Sequence, residues 1–148
     1  MTDVTIDPQA SAAERFAVGS VLPAASFPIT RKDLVRYAGA SGDFNDIHWN
    51  GRFAVEVGLP DVIAHGMYTM AVAGRVLTDW VGDPGAVEEY YVRFSKPVVV
   101  PHDEVGALLE VTGKVGKALD EHRVQVDLTV SSAGQKVLGK ATAVVRVR

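Results

Sequence analysis

The feature of this sequence that most constrains its fold is the stretch AHGMYTMAVAGRVLTDWVGDPG, which begins at Ala64. It predicts a helix over residues 64–81 that is apolar around most of its circumference. The polar side chains share one narrower stripe: His65, Tyr68, Arg75 and Asp79. A helix that is apolar nearly all round belongs in the interior of a protein. At 1.5 Å per residue it would be roughly 25 Å long, enough to cross a small domain. We therefore expect the rest of the chain to wrap around this helix.

The second half of the chain shows the patterns typical of β-strands. After Pro84 and Gly85, apolar residues alternate with polar ones or form β-branched runs. Four stretches have this character: EEYYVRFSKPVVV, GALLEVTGKVG, HRVQVDLTVSS and QKVLGKATAVVRVR. Short, turn-rich breaks separate them. Because short connections suit antiparallel neighbours, we predict an antiparallel sheet. A further strand pair is predicted within residues 18–29.

Together these elements predict an α+β fold in which an antiparallel sheet wraps around one long central helix. Two shorter helices are predicted ahead of it. One lies in TRKDLVRYAGA, where Thr30 and Asp33 can form a capping box, and one in GRFAVEVGLP, closed by Gly58. Residues 1–15 are expected to form a flexible N-terminal segment, and residues 16–148 the domain. The sheet would have open edges, and a dimer that joins two sheets edge to edge would cover them.

Composition argues against several classes of function. The net charge of -3 and the scattered lysines and arginines offer no basic surface for nucleic acid. The absence of cysteine excludes disulfides and thiol chemistry. The N-terminal residues lack the pattern of a signal peptide, and no apolar run is long enough to span a membrane, so we expect a cytoplasmic protein with no membrane partner. No glycine-rich phosphate loop or dinucleotide motif is present, and no cofactor is predicted.

The stretch SGDFNDIHWN, residues 41–50, interleaves acids and a histidine with bulky apolar side chains. Asp43 and His48 are close enough in sequence for their side chains to converge on one water and exchange protons with it at neutral pH. Asn45 lies between them and can orient one of the two. The alternative is a surface turn in which Asp43 and Asn45 bond their own backbone and His48 is merely nearby. The spacing alone leaves both interpretations open.

The residues AHGM, at the start of the predicted central helix, form a second candidate site. Backbone N–H groups in the first turn of a helix are free and carry partial positive charge. Because Gly66 has no side chain, a ligand oxygen can approach its amide closely, as in an oxyanion hole. The alternative is that Gly66 only permits close packing and that His65 caps the helix or packs there. This choice also stays open at the level of sequence.

Asp43, His48 and His65 together make a set of one carboxylate and two histidines, which is a common set of transition-metal ligands. The H-E-x-x-H spacing of a helical zinc site is absent, and nothing in the sequence indicates further groups that would orient such ligands. We therefore predict no metal. His102 and His122 fall in predicted turns and are expected at the surface.

The stretch YAGASGDFNDIHWNGRFA resembles the hydratase motif of the MaoC-like, or hydratase 2, family of hot-dog proteins. That motif has an aromatic residue, then S-G-D-x-N-P-x-H, then a small residue six positions past the histidine. The matching residues are Tyr37, Ser41, Gly42, Asp43, Asn45, His48 and Ala54. Asp46 replaces the usual proline, a change that affects the rigidity of the loop more than its chemistry. The likeness extends over most of the chain from about Phe16. It is closest to the catalytic β-type subunit of the (3R)-hydroxyacyl-ACP dehydratases of mycolic-acid-forming bacteria.

The resemblance implies a hot-dog fold and a specific reaction. That reaction is the reversible hydration of a trans-2-enoyl thioester of acyl carrier protein or coenzyme A to the (3R)-hydroxyacyl thioester. The resemblance implies that Asp43 and His48 are catalytic, that Asn45 belongs to the same polar cluster, and that the Gly66 N–H binds the thioester carbonyl. It is compatible with either a homodimer or a heterodimer with a second, non-catalytic hot-dog chain.

Two other functions compete with this one. An acyl-thioesterase shares the hot-dog scaffold but places its acid elsewhere. A non-catalytic partner subunit would bind acyl chains or stabilise a second chain, and the presence of both Asp43 and His48 argues against that role.

The central helix also carries small residues where an acyl chain could run. Short-chain (R)-specific hydratases often place a serine six residues after the histidine of the His-Gly pair, and here that position is Ala71. Ala71, Ala73 and Gly74 suggest room for an acyl tunnel, which we state as a hypothesis.

Overall fold

The computed structural model describes residues 12–147, and in them the predicted α+β architecture is confirmed. The helices are α1 (Ala12–Arg15), α2 (Arg31–Ser41), α3 (Gly51–Glu56) and α4 (Gly66–Val81). The strands are β1 (Val21–Ile29), β2 (Val87–Phe94), β3 (Ala107–Ala118), β4 (Arg123–Ser132), β5 (Gln135–Lys136) and β6 (Leu138–Arg146). Short 3-10 turns cover Asp46–His48 and Pro84–Ala86.

The strands form one antiparallel sheet in the order β1-β3-β4-β6-β2, and the two-residue β5 pairs with β4. The long helix α4 packs against this sheet and contacts β1, β2 and β3. This arrangement is the hot-dog fold. Strand β3 shows that one face of the sheet is buried: Leu109, Val111 and Val115 are completely buried, whereas Glu110, Thr112 and Lys114 are exposed. This alternation has the period of two that a half-buried strand requires.

The prediction of an interior helix is confirmed in α4. Its buried side chains are Thr69, Val72, Ala73, Val76, Leu77 and Trp80. The helix begins at Gly66 because His65 has an extended ψ of 133°. It ends where Gly82 takes the left-handed φ of 75°, which glycine adopts without strain. Among the described helices, none is long and apolar enough to cross a membrane.

Helix α2 begins as its sequence predicts. The Asp33 N–H donates to the Thr30 side chain, and the Asp33 carboxylate accepts the Thr30 N–H at 2.8 Å, which completes the capping box. Of the predicted N-terminal segment, residues 1–11 lie outside the described residues and Ala12–Arg15 form the short α1. The domain boundary at residue 16 stays a prediction.

Two strand predictions were wrong. Residues 18–29 do not form a strand pair, because β1 is one strand that pairs with β3 much further along the chain. Pro23 and Pro28 cannot donate ladder hydrogen bonds, which suits β1 to its place at the sheet edge. The stretch EEYYVRFSKPVVV is not one strand either. Strand β2 stops at Phe94 ahead of Pro97, and Val99 pairs only through an isolated bridge with Ile63.

Candidate active site

Short-range hydrogen bonds hold the loop after α2. Gly42 ends the helix with a φ of 77°, and its N–H donates to the Ala38 carbonyl at 2.9 Å. Asp43 Oδ1 accepts the Asn45 N–H at 3.2 Å, and Asn45 Oδ1 accepts the Ile47 N–H at 3.3 Å. The surface-turn bonds considered from the sequence are therefore present. They do not exclude a site, because they fix Oδ1 of Asp43 and leave Oδ2 free.

A backbone carbonyl from another segment orients the buried ring of His48. Its Nδ1 lies 2.7 Å from the Ile63 carbonyl oxygen, which is an acceptor, so Nδ1 carries the proton. In the neutral ring, Nε2 then has a free lone pair. Nε2 lies 4.0 Å from Oδ2 of Asp43, whose side chain is half exposed. This separation is too long for a direct hydrogen bond, but one water can bind both atoms. The fold thus brings Asp43 and His48 together.

His65 packs directly against this pair. Its ring stacks on the His48 ring with centroids 3.9 Å apart, and its Nε2 donates to the backbone carbonyl of Asp43 at 3.1 Å. The ring edge of Tyr37 lies against its other side, at a centroid distance of 4.7 Å. Burial lowers the pKa of His65 below 6.5, and the neighbouring His48 acts in the same direction. Nδ1 of His65 is buried and has no hydrogen-bond partner among the described residues. A second proton on the His65 ring would therefore have no acceptor there.

The three possible metal ligands lie close together, but their orientations do not favour a shared ion. One ligand atom from each of Asp43, His48 and His65 lies within 4.8 Å of the others. The two rings are only 23° from parallel, so their lone pairs point along separate planes instead of converging. In addition, backbone carbonyls engage His48 Nδ1 and His65 Nε2. This arrangement fits the binding of water better than the binding of a metal, and the absence of a metal stays a prediction.

Gly66 opens α4 beside the same two histidines. It is the first residue of the helix, and the His65 side chain makes no capping hydrogen bond. The Gly66 N–H therefore has no acceptor within the helix and is available to a ligand. A Cβ at this position would lie 3.1 Å from the Phe94 ring, tighter than an ordinary contact. Glycine therefore permits close packing against Phe94 and also leaves its amide without an intrahelical partner, and the choice between the two sequence interpretations stays open.

His48 and Gly66 line one cavity of about 250 Å³. Its apolar walls include Ile63, Phe94, Val98 and Leu138. Asp43 is not part of this lining and approaches His48 from the exposed loop. A ligand in the cavity can therefore contact the Gly66 amide while a water at its edge contacts His48 and Asp43.

The remaining predicted residues lie in different places. Asn45 holds the loop in shape, because its N–H donates to Asp43 Oδ1 and its side chain caps the 3-10 turn. Ala73 is completely buried in the core. Ala71 and Gly74 line a separate cavity with Tyr90, which shares no residue with the cavity of His48 and Gly66. The structure therefore does not bring the small residues of α4 to the site, and the acyl tunnel stays a hypothesis.

The lowered pKa of His65 should appear in the pH dependence of stability. Because the unfolded chain takes up a proton near pH 6.5 and the folded chain only at lower pH, the free energy of unfolding should fall as the pH drops from 7 to 5. His65→Gln cannot titrate, so it should lose less stability over that range in urea unfolding experiments. His122→Gln, at an exposed turn, is the control and should behave as wild type. Equal losses in wild type and His65→Gln would contradict the assignment.

The fold and the site together define a hot-dog domain in which an imidazole and a helix-terminal amide line one cavity and a carboxylate approaches the imidazole from the adjacent loop. Residues 13–134 match the MaoC like domain family, and the chain belongs to this family.

Individual relatives agree with this assignment. The 3-hydroxyacyl-thioester dehydratase X of Mycobacterium tuberculosis is 46% identical over 80 residues, which are 53% of this chain and 27% of that protein. The (R)-specific enoyl-CoA hydratase of Rhodospirillum rubrum is 33% identical over 122 residues, covering 81% of this chain and 82% of that protein. A solved MaoC-like dehydratase is 38% identical with a TM-score of 0.84, and the match covers 100% of this chain and 51% of that one. This chain therefore spans about a quarter of the first relative and half of the solved one.

Proposed function

We propose that this chain catalyses the reversible hydration of trans-2-enoyl thioesters to (3R)-hydroxyacyl thioesters. The observation that carries the proposal is the 4.0 Å approach of His48 Nε2 to Asp43 Oδ2, next to the cavity that His48 shares with Gly66. The names of the relatives, a 3-hydroxyacyl-thioester dehydratase and an (R)-specific enoyl-CoA hydratase, support the reaction and its R configuration.

In the proposed reaction, the Gly66 N–H binds the thioester carbonyl oxygen. This bond polarises the conjugated system, makes Cβ electrophilic and stabilises the negative charge that develops on the oxygen. The water held by Asp43 and His48 adds its oxygen to Cβ and loses one proton to the pair. The pair then returns one proton to Cα, so the double bond becomes a single bond and no proton is gained or lost overall. Dehydration is the reverse sequence.

The surroundings of the pair suit these transfers. The Ile63 carbonyl fixes the tautomer of His48, so its Nε2 is a proton acceptor whenever the ring is neutral. Burial lowers the pKa of the adjacent His65, which favours the neutral form of that ring and so limits positive charge beside the pair. The apolar walls of the cavity keep other water away from the reacting carbons, which strengthens the polar contacts.

We further propose that the chain is the catalytic member of a cytoplasmic hot-dog dimer. Strand β2 lies at the edge of the sheet and is hydrogen-bonded only to β6 among the described strands. Tyr91 and Phe94 on this strand are large, apolar and at least half exposed. Pairing two such edges would extend the sheet and cover both. The partner is either a second copy or a non-catalytic hot-dog chain, the latter as in the β-type dehydratase subunits that the sequence resembles.

A spectrophotometric assay tests the proposed reaction. The purified chain, assembled as its natural dimer, is mixed with crotonyl-CoA or a longer trans-2-enoyl-CoA, and the loss of enoyl absorbance is followed. We expect hydration, with the (3R)-hydroxyacyl thioester identified by chiral chromatography. Release of free thiol instead would indicate a thioesterase. Binding of the thioester without turnover at any chain length would indicate a non-catalytic acyl-binding subunit.

A further inference from the structure

Two irregular segments support the candidate site. Residues 61–65, which we call the site segment, include the Ile63 carbonyl that orients His48, and they lead directly into Gly66. Residues 98–100 run beside the site segment, and two backbone hydrogen bonds of 2.9 Å join the two. Neither segment belongs to a helix or to a strand of the sheet. Side-chain contacts therefore contribute to how firmly the Ile63 carbonyl is held.

The side chain of Arg31 binds both segments at once. Its Nη2 lies 2.9 Å from Asp61 Oδ1 in the site segment, and its Nε donates to the Val100 carbonyl at 2.6 Å. Asp61 Oδ1 also accepts the Val62 N–H at 2.7 Å, which fixes the carboxylate to the backbone of its own segment. A guanidinium presents its donors in a rigid plane, so these contacts also fix its orientation. We call Arg31, Asp61 and the Val100 carbonyl the arginine bridge.

The arginine bridge also ties the site segment to α2. Arg31 is the first residue of that helix, and Asp43 lies two residues beyond its last. The helix therefore has the bridge at one end and the carboxylate of the candidate site at the other. Through the bridge, the loop that holds Asp43 and the segment that orients His48 are both attached to this one helix.

Among the lysine and arginine ion pairs within residues 12–147, the pair in the bridge has the least exposed cation. The side chains of Arg31 and Asp61 are 18% and 39% exposed, whereas those of the neighbouring pair, Lys32 and Glu104, are 71% and 90% exposed. Exposed ion pairs contribute little, because both side chains lose freedom and salt screens them. A partly buried guanidinium with charge-assisted hydrogen bonds is held more firmly. The bridge is therefore suited to fixing a position, and the adjacent pair is not.

We propose that Arg31 is a positioning residue for the hydration reaction, and that the arginine bridge holds the Ile63 carbonyl against Nδ1 of His48. The inference rests on the proposed function, in which Nε2 of His48 accepts a proton from the bound water. Arg31 does not line the cavity of His48 and Gly66, so it acts through the backbone of the site segment and not on the substrate.

The tautomer of His48 links the bridge to the reaction. If the site segment shifts, Nδ1 loses its acceptor, and the neutral ring can carry its proton on Nε2 instead. A ring protonated at Nε2 faces Asp43 as a donor and cannot accept a proton from the water between them. The bridge thus keeps the imidazole in the form that the proposed reaction uses.

Arg31→Gln tests the effect on catalysis. Glutamine carries no charge and cannot bind Asp61 and the Val100 carbonyl in the geometry of a guanidinium. We expect kcat for crotonyl-CoA to fall by roughly tenfold to a hundredfold, because a displacement of about 1 Å can cost a hundredfold, and KM to stay close to wild type. Lys32→Gln removes the adjacent cation of the same helix and should keep the wild-type kcat.

Asp61→Asn tests the bridge from its other side. Asparagine can still accept the Val62 N–H, but it loses the charge that binds Arg31. Its kcat should fall as in Arg31→Gln, and the double variant should be little slower than either single variant, because residues that act together have non-additive effects. Additive losses would show that the two residues act separately and would overturn the bridge.

The His48 tautomer is a readout that a loss of stability alone would not change. Nitrogen NMR of histidine-labelled protein at about pH 8, where histidine is ordinarily neutral, shows which ring nitrogen carries the proton, and His48→Gln identifies the His48 signals. We expect the proton on Nδ1 in wild type and in Lys32→Gln, and a shift toward Nε2 in Arg31→Gln. A proton on Nε2 in wild type, or the same tautomer in wild type and Arg31→Gln, would overturn the proposal.

Arg123→Gln is the control for stability. It removes an arginine that also forms ion pairs, with Asp120 and Glu88, but that touches neither of the two segments. Its kcat and its His48 tautomer should match wild type, whatever its unfolding temperature. A loss of kcat and a tautomer shift equal to those of Arg31→Gln would assign both effects to general destabilisation and overturn the proposal.

The two readouts separate the bridge from the proposed reaction. If wild type hydrates no enoyl thioester, the proposed function fails, and the NMR comparison still tests the bridge. A rise in KM at unchanged kcat would assign Arg31 to substrate binding and overturn its positioning role, with hydration intact. If Arg31→Gln does not fold, Arg31→Lys takes its place, since lysine keeps the charge but lacks the planar fork, and the same tautomer shift is expected.

Discussion

Replacing Asp43 with asparagine is expected to slow the hydration of crotonyl-CoA by about 10²–10⁴-fold, the usual contribution of a group that transfers protons. Asparagine keeps the shape of the side chain and can still accept the Asn45 N–H at Oδ1, so the loop should keep its turns. Its amide cannot exchange a proton with the water bound at His48 Nε2. The rate is measured from enoyl absorbance, and thermal unfolding verifies that the variant is folded.

Asp46→Asn is the matched control, because it removes one negative charge from the same loop at a residue outside the pair. Its rate should stay close to wild type. His48→Gln should be slowed as strongly as Asp43→Asn, and the double variant should be little slower than either single variant, since the two groups act as a unit. An Asp43→Asn protein that kept more than about a tenth of the wild-type rate would fall outside the range for a proton-transfer group and remove Asp43 from the mechanism.

The Gly66→Pro variant should lose about 10²–10³-fold in kcat, as expected when one oxyanion donor is removed. Proline lacks the N–H that we assign to the thioester oxygen. It is well tolerated at the first position of a helix, where that N–H has no intrahelical acceptor. The preceding residue, His65, already has a ψ of 133°, within the range that residues before proline adopt. Helix α4 should therefore form normally.

Gly66→Ala is the control for this prediction. It introduces the same Cβ at 3.1 Å from the Phe94 ring but retains the N–H. Because both variants carry the same Cβ, the difference in kcat between them reports the loss of the N–H together with the proline ring carbons that replace it. Equal rates in the two variants would assign the defect to crowding against Phe94 and exclude the Gly66 amide as the donor.

Local signals in the sequence were sufficient to predict several elements of the fold and the proximity of the Asp43–His48 pair. The capping box of Thr30 and Asp33 predicted the start of α2, and the apolar circumference of residues 64–81 predicted a buried helix. The short spacing between Asp43 and His48 indicated that they can meet. These features depend on residues close in sequence, whose relative positions follow from the geometry of helices and turns.

Contacts between distant segments were not predictable in the same way. The carbonyl that orients His48 belongs to Ile63, whose own N–H donates to Ile47 at 3.1 Å and which bridges to Val99. The stacking of His65 on His48 likewise joins the start of α4 to the loop before α3. No periodicity encodes such a pairing. For the same reason the prediction of a strand pair within residues 18–29 was wrong, since the partner of β1 is the remote β3.

Four consecutive residues, 63–66, either orient or supply the polar groups of the site. The Ile63 carbonyl anchors His48, the His65 ring anchors the Asp43 backbone, and Gly66 presents its amide. Only three peptide links separate the Ile63 carbonyl, which anchors the imidazole, from the Gly66 N–H, which is the proposed oxyanion donor. In the proposed reaction this spacing sets the distance between the Gly66 N–H and the water bound at His48. That distance suits a substrate whose double bond is directly adjacent to the thioester carbonyl. In an isomer with the double bond one carbon further along, the reactive carbon would lie beyond the bound water.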